Sequence, residues 1–163
     1  MQKGTQKLVL TALFTALAVV GGSIVQIPIG PARVAPMQHL INLISGVVLG
    51  PYYALAQAFM TSLIRNTMGT GTILAFPGSM IGPLLVGWIY RKTHRLAWAA
   101  IAELIGDGIF GALLAFPIAK LFLGANGALW LFIPTFLPSV IAGVILGYIL
   151  LRALWPVMKR YVN

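Results

Sequence analysis

The chain has 163 residues, of which 60% are hydrophobic and only 8% are charged, and its mean hydropathy is +0.96. Soluble domains carry roughly 25% charged residues, so this composition excludes an ordinary soluble domain and favours a protein embedded in the lipid bilayer. The net charge is +9, but the basic residues cluster between apolar runs rather than on an aromatic-laced surface. This pattern argues against nucleic-acid binding and points to anionic lipid and membrane topology. The chain has no cysteine, which excludes disulfides.

The first predicted helix covers residues 8–25 and follows a short polar start. About 18 apolar or small residues are enough to cross the hydrocarbon core. The segment lacks a small-x-small cleavage site and further apolar runs follow it, so we interpret it as a retained helix rather than a signal peptide. Residues 26–36 contain three prolines, which end the helix and predict a structured loop.

The next apolar region, residues 38–67, is divided by Gly50-Pro51 and could form one span or two. Basic clusters occur at the N-terminus, at residues 91–95 and at the C-terminus, and the positive-inside rule places all three in the cytoplasm. With an inner turn at Gly50-Pro51, four spans separate the first two clusters and the rule is satisfied. A single merged span would put residues 91–95 outside. The charges therefore predict two helices, over residues 38–49 and 52–67.

The remaining elements complete a bundle. Residues 73–90 predict a fourth helix, and residues 96–123 predict a fifth that is long and interrupted at Pro117. Residues 124–127 predict an outer turn, and residues 129–154 a sixth helix. The predicted fold is an all-α integral membrane protein with six transmembrane helices in a single domain spanning the chain, with both termini cytoplasmic.

Small residues recur at four-residue spacing and predict close helix packing. The rows are Ala54/Ala58/Ser62, Gly78/Gly82 and Ser139/Gly143/Gly147. Helices in lipid associate through such rows because small side chains let their backbones approach closely. Ala12 and Ala16 form a similar row on the first helix, which is either one more packing row or a flat strip on which a partner helix docks.

Residues 65–83 form an island of polar and small residues between two apolar segments. At membrane depth such residues must be buried in protein or line a cavity, so we interpret this stretch as one wall of a binding site. Aromatic and hydrogen-bonding side chains predicted at the same outer depth would suit a small aromatic ligand. The candidate residues are Gln38, His39, Asn42, Arg65, Asn66, Phe76, Ser79 and Trp130. Three alternatives remain open: a structural role for His39, an interfacial anchor at Trp130, and an Arg65 that extends to the outer surface.

Glu103 and Asp107 are the only acidic residues, and their four-residue spacing places them on one helix face. Two ionised acids in a membrane helix are costly, so one of them should be protonated or paired with a base or ligand. We include both among the candidate site residues. The alternatives are a structural role in holding helices together and a proton relay, although no further acid exists to pass a proton onward.

Sequence signals for catalysis, cofactors and metals are absent. No cysteine, His-Glu-x-x-His, Walker or Gly-x-Ser-x-Gly pattern occurs. His39 and His94 are predicted on opposite sides of the membrane, so they cannot share a metal ion. We therefore expect neither enzymatic activity nor a resident cofactor or metal.

Several stretches of the chain together match the pattern of a known family. They are Pro36-Met-Gln-His-Leu-Ile-Asn42, Gly46-Val-Val-Leu-Gly-Pro51, Arg65-Asn66, Gly69-Thr-Gly-Thr-Ile-Leu-Ala-Phe-Pro-Gly-Ser79, Gly-Ala-Leu-Leu-Ala115 and the Ala12/Ala16 row. Through them the sequence resembles the ThiW family of substrate-binding S components of energy-coupling-factor (ECF) transporters. The resemblance covers nearly the whole chain and is most specific between Arg65 and Ser79. That family is assigned to uptake of hydroxyethylthiazole, the thiazole precursor of thiamine.

The resemblance implies a complete transport system in the cell membrane. The S component would capture its ligand from outside, in a pocket closed by the loops between helices 1 and 2 and between helices 3 and 4. It would then associate with a transmembrane T component and two ATPase subunits, with Ala12 and Ala16 on the docking surface. The alternatives are an S component for another thiamine-related compound or vitamin, and a self-sufficient carrier or channel, for which inverted repeats would be expected but are not detected.

Overall fold

The computed structural model describes residues 3–29, 32–124 and 132–159. The first half of the chain contains α1 (Lys3–Ile24), β1 (Ile27–Ile29), β2 (Ala32–Val34), α2 (Pro36–Leu49) and α3 (Pro51–Thr67). The second half contains α4 (Ala75–Thr93), α5 (Leu96–Ile105), a π-helical segment (Gly106–Gly111), α6 (Ala112–Leu123) and α7 (Phe132–Met158). α5, the π-helical segment and α6 run on without a break, so the described residues form six helical rods, as the sequence predicts.

Three of these rods are individually long and apolar enough to cross a membrane. They are Gly4–Ile24, Leu96–Phe122 and Phe132–Met158. The helix boundaries differ modestly from the predicted ones. α1 begins at Lys3 rather than at residue 8, and α7 ends at Met158 rather than at residue 154. The extension of α1 adds polar and basic residues, and the extension of α7 adds residues 155–158, because adding residues to an existing helix is easier than starting a new one.

The central helix of the bundle is α2, which packs against α1, α3, α4, α5 and α7. Most of its residues are buried, including Leu40, Leu43 and Val47, so almost no face of this helix meets lipid. Two glycines of α7 make this possible. A side chain at Gly143 would collide with the Pro36 carbonyl oxygen, and one at Gly147 would press on Leu40 and Leu43. The predicted small-residue row on α7 is therefore a close contact with α2.

The predicted division between the second and third helices is confirmed. Only Gly50 separates α2 from α3, and its φ of 83° lies in the left-handed region that favours glycine. Pro51 then starts α3, where its missing N–H costs nothing. The Arg91 guanidinium packs over Gly50, and Gly87 lies against the Pro51 backbone, so α4 closes the turn from the side.

The predicted interruption at Pro117 is wrong. α6 continues through Pro117, and the irregular segment lies upstream at Gly106–Gly111. Pro117 is exposed, so its ring can point away from the bundle while the rod continues. The π-helical segment contains three glycines, which tolerate the wider backbone turn, and Asp107 sits within it.

The loop between α1 and α2 is structured, as predicted, and it is an antiparallel β-hairpin. The hairpin pairs Ile27 with Val34 and Ile29 with Ala32. Its prolines stop helix formation, and the flanking β-branched residues favour extended backbone. At its end, the Ala35 N–H donates to the Ser139 hydroxyl of α7, 2.9 Å away, which fixes the entry into α2.

Candidate functional site

His39 of α2 meets both acidic residues of the chain inside the bundle. Its Nδ1 lies 2.7 Å from Asp107 Oδ2 and 3.8 Å from Glu103 Oε1. The two carboxyl side chains are buried, and the His39 side chain is 12% exposed. Of the outcomes that the sequence left open for these acids, pairing with a base is the one seen, and the base is His39. No other basic side chain among the described residues is in ion-pair range of them, and one imidazolium can offset at most one of the two carboxylate charges.

The carboxyl groups fit inside the bundle because α4 presents glycine to each of them. A Cβ at Gly78 would collide with Asp107 Oδ1, and a Cβ at Gly82 would collide with the Glu103 carboxyl group. The backbones also meet directly, since Gly111 lies against Gly78. The sequence analysis predicted the Gly78/Gly82 row only as a site of helix packing. The structure shows that it also creates the space that holds two buried carboxyl groups.

Asn42 lies one helical turn beyond His39 and completes this group, which we call the core cluster (His39, Asn42, Glu103 and Asp107). Asn42 is 0% exposed. Its side chain lies beside Glu103, but neither of its polar atoms completes a hydrogen bond with a described residue. Both Glu103 carboxylate oxygens also lack a hydrogen-bond donor among the described residues. Buried polar groups are nearly always satisfied, so this cluster has unused capacity to bind a polar ligand.

The core cluster also has the ligand types of a cation site. One donor atom each from His39, Glu103 and Asp107 can be chosen so that all lie within 4.8 Å of one another. A nitrogen and two carboxylates could hold a divalent ion. The direct 2.7 Å contact between His39 and Asp107 shows that these two side chains already pair with each other within the protein.

A second polar group lies at the outer ends of α1, α2 and α3 and is organised by Arg65. Its side chain is buried, so Arg65 does not extend to the outer surface. The guanidinium donates to Gln38 Oε1 of α2, to the Gly22 carbonyl oxygen of α1 at 2.7 Å and to the Thr70 carbonyl oxygen at 2.9 Å. Five N–H donors in a rigid plane allow one arginine to hold three such acceptors. We call Arg65 with Gly22, Gln38 and Thr70 the outer brace.

Other predicted site residues lie next to the outer brace. We call the outer brace together with Ser62, Asn66 and Ser79 the outer group. Ser79 is buried and lies 2.7 Å from the Ser62 hydroxyl, which in turn accepts from Gln38 Nε2 at 3.4 Å. Asn66 Nδ2 donates to the Ser62 and Thr72 carbonyl oxygens, so its amide group shapes the loop between α3 and α4. The predicted polar site residues thus divide into two sets, the core cluster and the outer group.

Neither predicted aromatic residue is shown in contact with the core cluster. Phe76 is half-buried and makes an edge-to-face contact with Phe59, their ring centroids 5.9 Å apart. Phe59 is 41% exposed, so this pair lies toward the surface of the bundle between α3 and α4. Trp130 lies outside the described residues.

Ala12 and Ala16 lie on an exposed face of α1, together with Leu13 and Leu17. The opposite face of the same helix is buried against the bundle through Thr15 and other residues. The alanines therefore form a shallow strip on an apolar surface that no described element of the chain covers.

Several site residues had no signal in the sequence analysis. Gly22 and Thr70 act through backbone carbonyl oxygens, which the sequence does not distinguish. Ser62 was assigned to a packing row, although it also links Gln38 to Ser79. One sequence feature could have indicated the position of the buried acids. Gly78 and Gly82 are four residues apart, which matches the spacing of Asp107 and Glu103 on the facing helix.

Comparisons with known proteins agree with this arrangement. The sequence matches the family described as thiamine-precursor transporter protein (ThiW) over residues 8–157. A putative transport protein of Pectobacterium atrosepticum is 32% identical over 90 residues, which is 52% of this chain and 16% of that protein. The chain therefore matches only a small part of that relative's length.

The fold is also found among solved structures. The chain superposes on the crystal structure of the S component for biotin from an ECF-type ABC transporter, with a TM-score of 0.73 and 18% sequence identity. The match covers 98% of this chain and 97% of the other. Together these findings describe a multi-pass protein of the cell membrane that is similar to transport proteins. The chain belongs to the ThiW family of thiamine-precursor transporter proteins, and its fold is that of an ECF S component.

Proposed function

We propose that this protein is the substrate-binding S component of an ECF importer and that it captures hydroxyethylthiazole. The observation that carries the proposal is the core cluster, a set of buried polar side chains whose hydrogen-bonding atoms include several without a partner among the described residues. Leaving such groups unpaired costs about 1–3 kcal/mol each, so a ligand that satisfies them gains binding energy and selectivity. Membership of a thiamine-precursor transporter family supports a small heteroaromatic alcohol as the ligand.

Each part of the ligand has a proposed partner. The hydroxyl group would donate to Glu103 and accept from the Asn42 amide, whose polar atoms are free within the described structure. His39 would remain paired with Asp107 and present its ring to the ligand. Phe76 and Trp130 are proposed to stack on the thiazole ring, as small aromatic ligands prefer flat apolar walls.

The outer group would act on access rather than on the ligand itself. Arg65 connects α1, α2 and the loop between α3 and α4, and this loop is proposed to close over the bound ligand. Gln38, Asn66 and Ser79 are already hydrogen-bonded within the protein, so we propose that they hold this closing segment in shape. Ala12 and Ala16 would then present the docking strip to a T component, with two ATPase subunits completing the importer.

Calorimetric titration of the purified chain tests the substrate. We expect tight binding of hydroxyethylthiazole and roughly 5- to 150-fold weaker binding after Asn42→Ala, since one unpaired buried hydrogen bond is worth about 1–3 kcal/mol. Asn66→Ala is the matched control, because the Asn66 amide is engaged with backbone carbonyl groups and should affect binding less. Micromolar or weaker affinity for hydroxyethylthiazole, alongside tight binding of another vitamin, would reject this substrate.

The same titration addresses a second candidate, the pyrimidine precursor of thiamine. The two unpaired Glu103 oxygens are hydrogen-bond acceptors, and an aminopyrimidine with a hydroxymethyl group offers more donors to them than a thiazole alcohol. Tighter binding of the pyrimidine than of the thiazole would select this alternative. In either case, Asn42→Ala should weaken the preferred ligand.

A further inference from the structure

The cytoplasmic end of the bundle contains an open cleft that the transport site does not use. Its volume is about 570 Å³, and it lies between the start of α5 and the last turns of α7. His94, Arg95 and Leu96 line one wall, and Tyr148, Arg152 and Trp155 line the other. The positive-inside rule places this end of the molecule in the cytoplasm.

Two arginines in this cleft have no acidic side chain with which to pair. The chain has only two acidic residues, Glu103 and Asp107. Both are buried within the bundle and paired with His39. Arg95 and Arg152 are exposed. Any carboxylate or phosphate that neutralises these side chains must therefore come from another molecule or from a chain terminus.

The backbone reinforces the positive potential at the same place. α5 begins at Leu96, with Arg95 as the residue before its first turn and with no side-chain cap on its free N–H groups. The start of a helix carries a partial positive charge, so an arginine at this position is electrostatically unfavourable unless an anion lies nearby. An anion in the cleft would accept hydrogen bonds from these N–H groups and from both arginines.

The aromatic residues of the cleft suit the membrane interface. Trp155 makes an edge-to-face contact with Tyr90, which also contacts His94, so the two walls are fixed by one ring cluster. The Arg152 guanidinium carbon lies 5.8 Å from the centre of the Tyr148 ring, which positions the charge over the cleft. Tryptophan and tyrosine are typical of the headgroup level, where anionic lipids of the inner leaflet are found.

From this geometry we infer that the cleft between α5 and α7 is a binding site for a phosphate group, with Arg95, Arg152 and the start of α5 as its ligands. The shared chemistry fits either the headgroup of an anionic phospholipid or a soluble phosphate. The inference does not depend on the identity of the transported compound, because no residue of the core cluster or the outer brace lines this cleft.

Native mass spectrometry of the purified full chain tests this site with phosphatidylglycerol and phosphatidylcholine as the probes. We expect retention of phosphatidylglycerol in preference to phosphatidylcholine. Arg95→Gln or Arg152→Gln should weaken that binding about fivefold each, since one basic residue near an anionic lipid surface is worth about 1 kcal/mol. Lys92→Gln is the matched control, because Lys92 is exposed on the same side but does not line the cleft.

Inorganic phosphate in a thermal-shift measurement distinguishes the two sources. Stabilisation of the wild-type chain by millimolar phosphate, lost in Arg95→Gln and Arg152→Gln, would assign the site to soluble phosphate. Selective retention of phosphatidylglycerol without a phosphate effect would assign it to lipid. Equal binding of the two lipids with no phosphate effect, or an equal loss in Lys92→Gln, would overturn the inference. Unchanged melting of the arginine variants without added ligand shows that they are folded.

Discussion

His39 has an electrostatic role that follows from its neighbours. Two carboxyl groups within reach of one imidazole can be tolerated in an apolar bundle because the ring supplies the compensating positive charge. Removing that base leaves two buried acids side by side, and one of them must then take up a proton. The stability of the bundle therefore depends on the group as a unit rather than on any single contact.

A double-mutant cycle measures this dependence. His39→Asn should lower the free energy of unfolding by about 3–5 kcal/mol, the usual result of removing one partner of a buried ion pair. Adding Asp107→Asn to His39→Asn removes one of the stranded acids and should restore part of the loss, with a coupling energy of about 0.5–3 kcal/mol. Chemical unfolding of the detergent-solubilised chain provides the measurement.

The chain offers a matched control for this cycle. His94→Asn makes the same substitution at an exposed position whose left-handed backbone asparagine tolerates, so little change is expected. Equal losses in the two histidine variants, or purely additive effects of His39→Asn and Asp107→Asn, would contradict the proposed charge compensation.

The sequence predicted that the buried acids need a neutralising partner, but it did not predict the direction of every side chain. The cost of two acids on one helix face required a base, a ligand or a proton, but the sequence did not identify His39 as that base. The direction of Arg65 was not predictable, because a long side chain near a helix end can extend outward or turn inward with the same sequence. It turns inward because backbone carbonyl groups of α1 and of the following loop await a donor there.

The helix α1 has two dissimilar faces. Its inner face supplies Thr15, Ala18 and Val19 to the bundle, while its outer face exposes two leucines and two alanines, which are Ala12, Leu13, Ala16 and Leu17. A helix face that only contacts lipid does not need small residues such as alanine. Small residues are useful where another helix approaches closely, so this pair is consistent with docking of a partner helix.

Enlarging the alanines tests this face. Ala12→Leu or Ala16→Leu should abolish assembly with the T component and transport, because the added side chains prevent close approach, while ligand binding by the isolated chain is unchanged. Co-purification of the complex and calorimetric titration report the two properties separately. Ala153→Leu, an exposed alanine on α7, is the control and should leave assembly intact. Loss of ligand binding with assembly preserved would reverse the assignment.

The elements themselves were predicted unevenly. The break at Gly50-Pro51 was readable because both residues have strong and specific backbone preferences. The π-helical segment was not, since Gly106, Gly108 and Gly111 could equally have been packing glycines. Pro117 was misread as a break because a proline inside a helix is disruptive in water, whereas a membrane rod with an exposed ring at that position continues.

At the scale of the molecule, the basic residues define which end faces the cytoplasm. The described cleft and the turn at Gly50 lie at one end, and the outer brace lies at the other. This orientation rests on charge alone. It can be tested directly because the natural chain has no cysteine, so an introduced one is the sole target of a thiol reagent.

Single cysteines at the two ends test the orientation. In intact cells, a membrane-impermeant maleimide should label Thr72→Cys in the loop between α3 and α4. It should label Lys92→Cys only after the membrane is permeabilised. Both positions are exposed, so accessibility depends on sidedness rather than on burial. Labelling of Lys92→Cys in intact cells with protection of Thr72→Cys would invert the topology.

The burial of α2 has a consequence for how this protein is made. With 14 residues, α2 is about 21 Å long, well short of the roughly 30 Å thickness of the hydrocarbon layer. Part of its surroundings is supplied by α7, which follows α2 much later in the chain. Until α7 is synthesised, the nascent chain holds a short segment with a polar histidine open to lipid, so we expect the bundle around α2 to close only once α7 has been inserted.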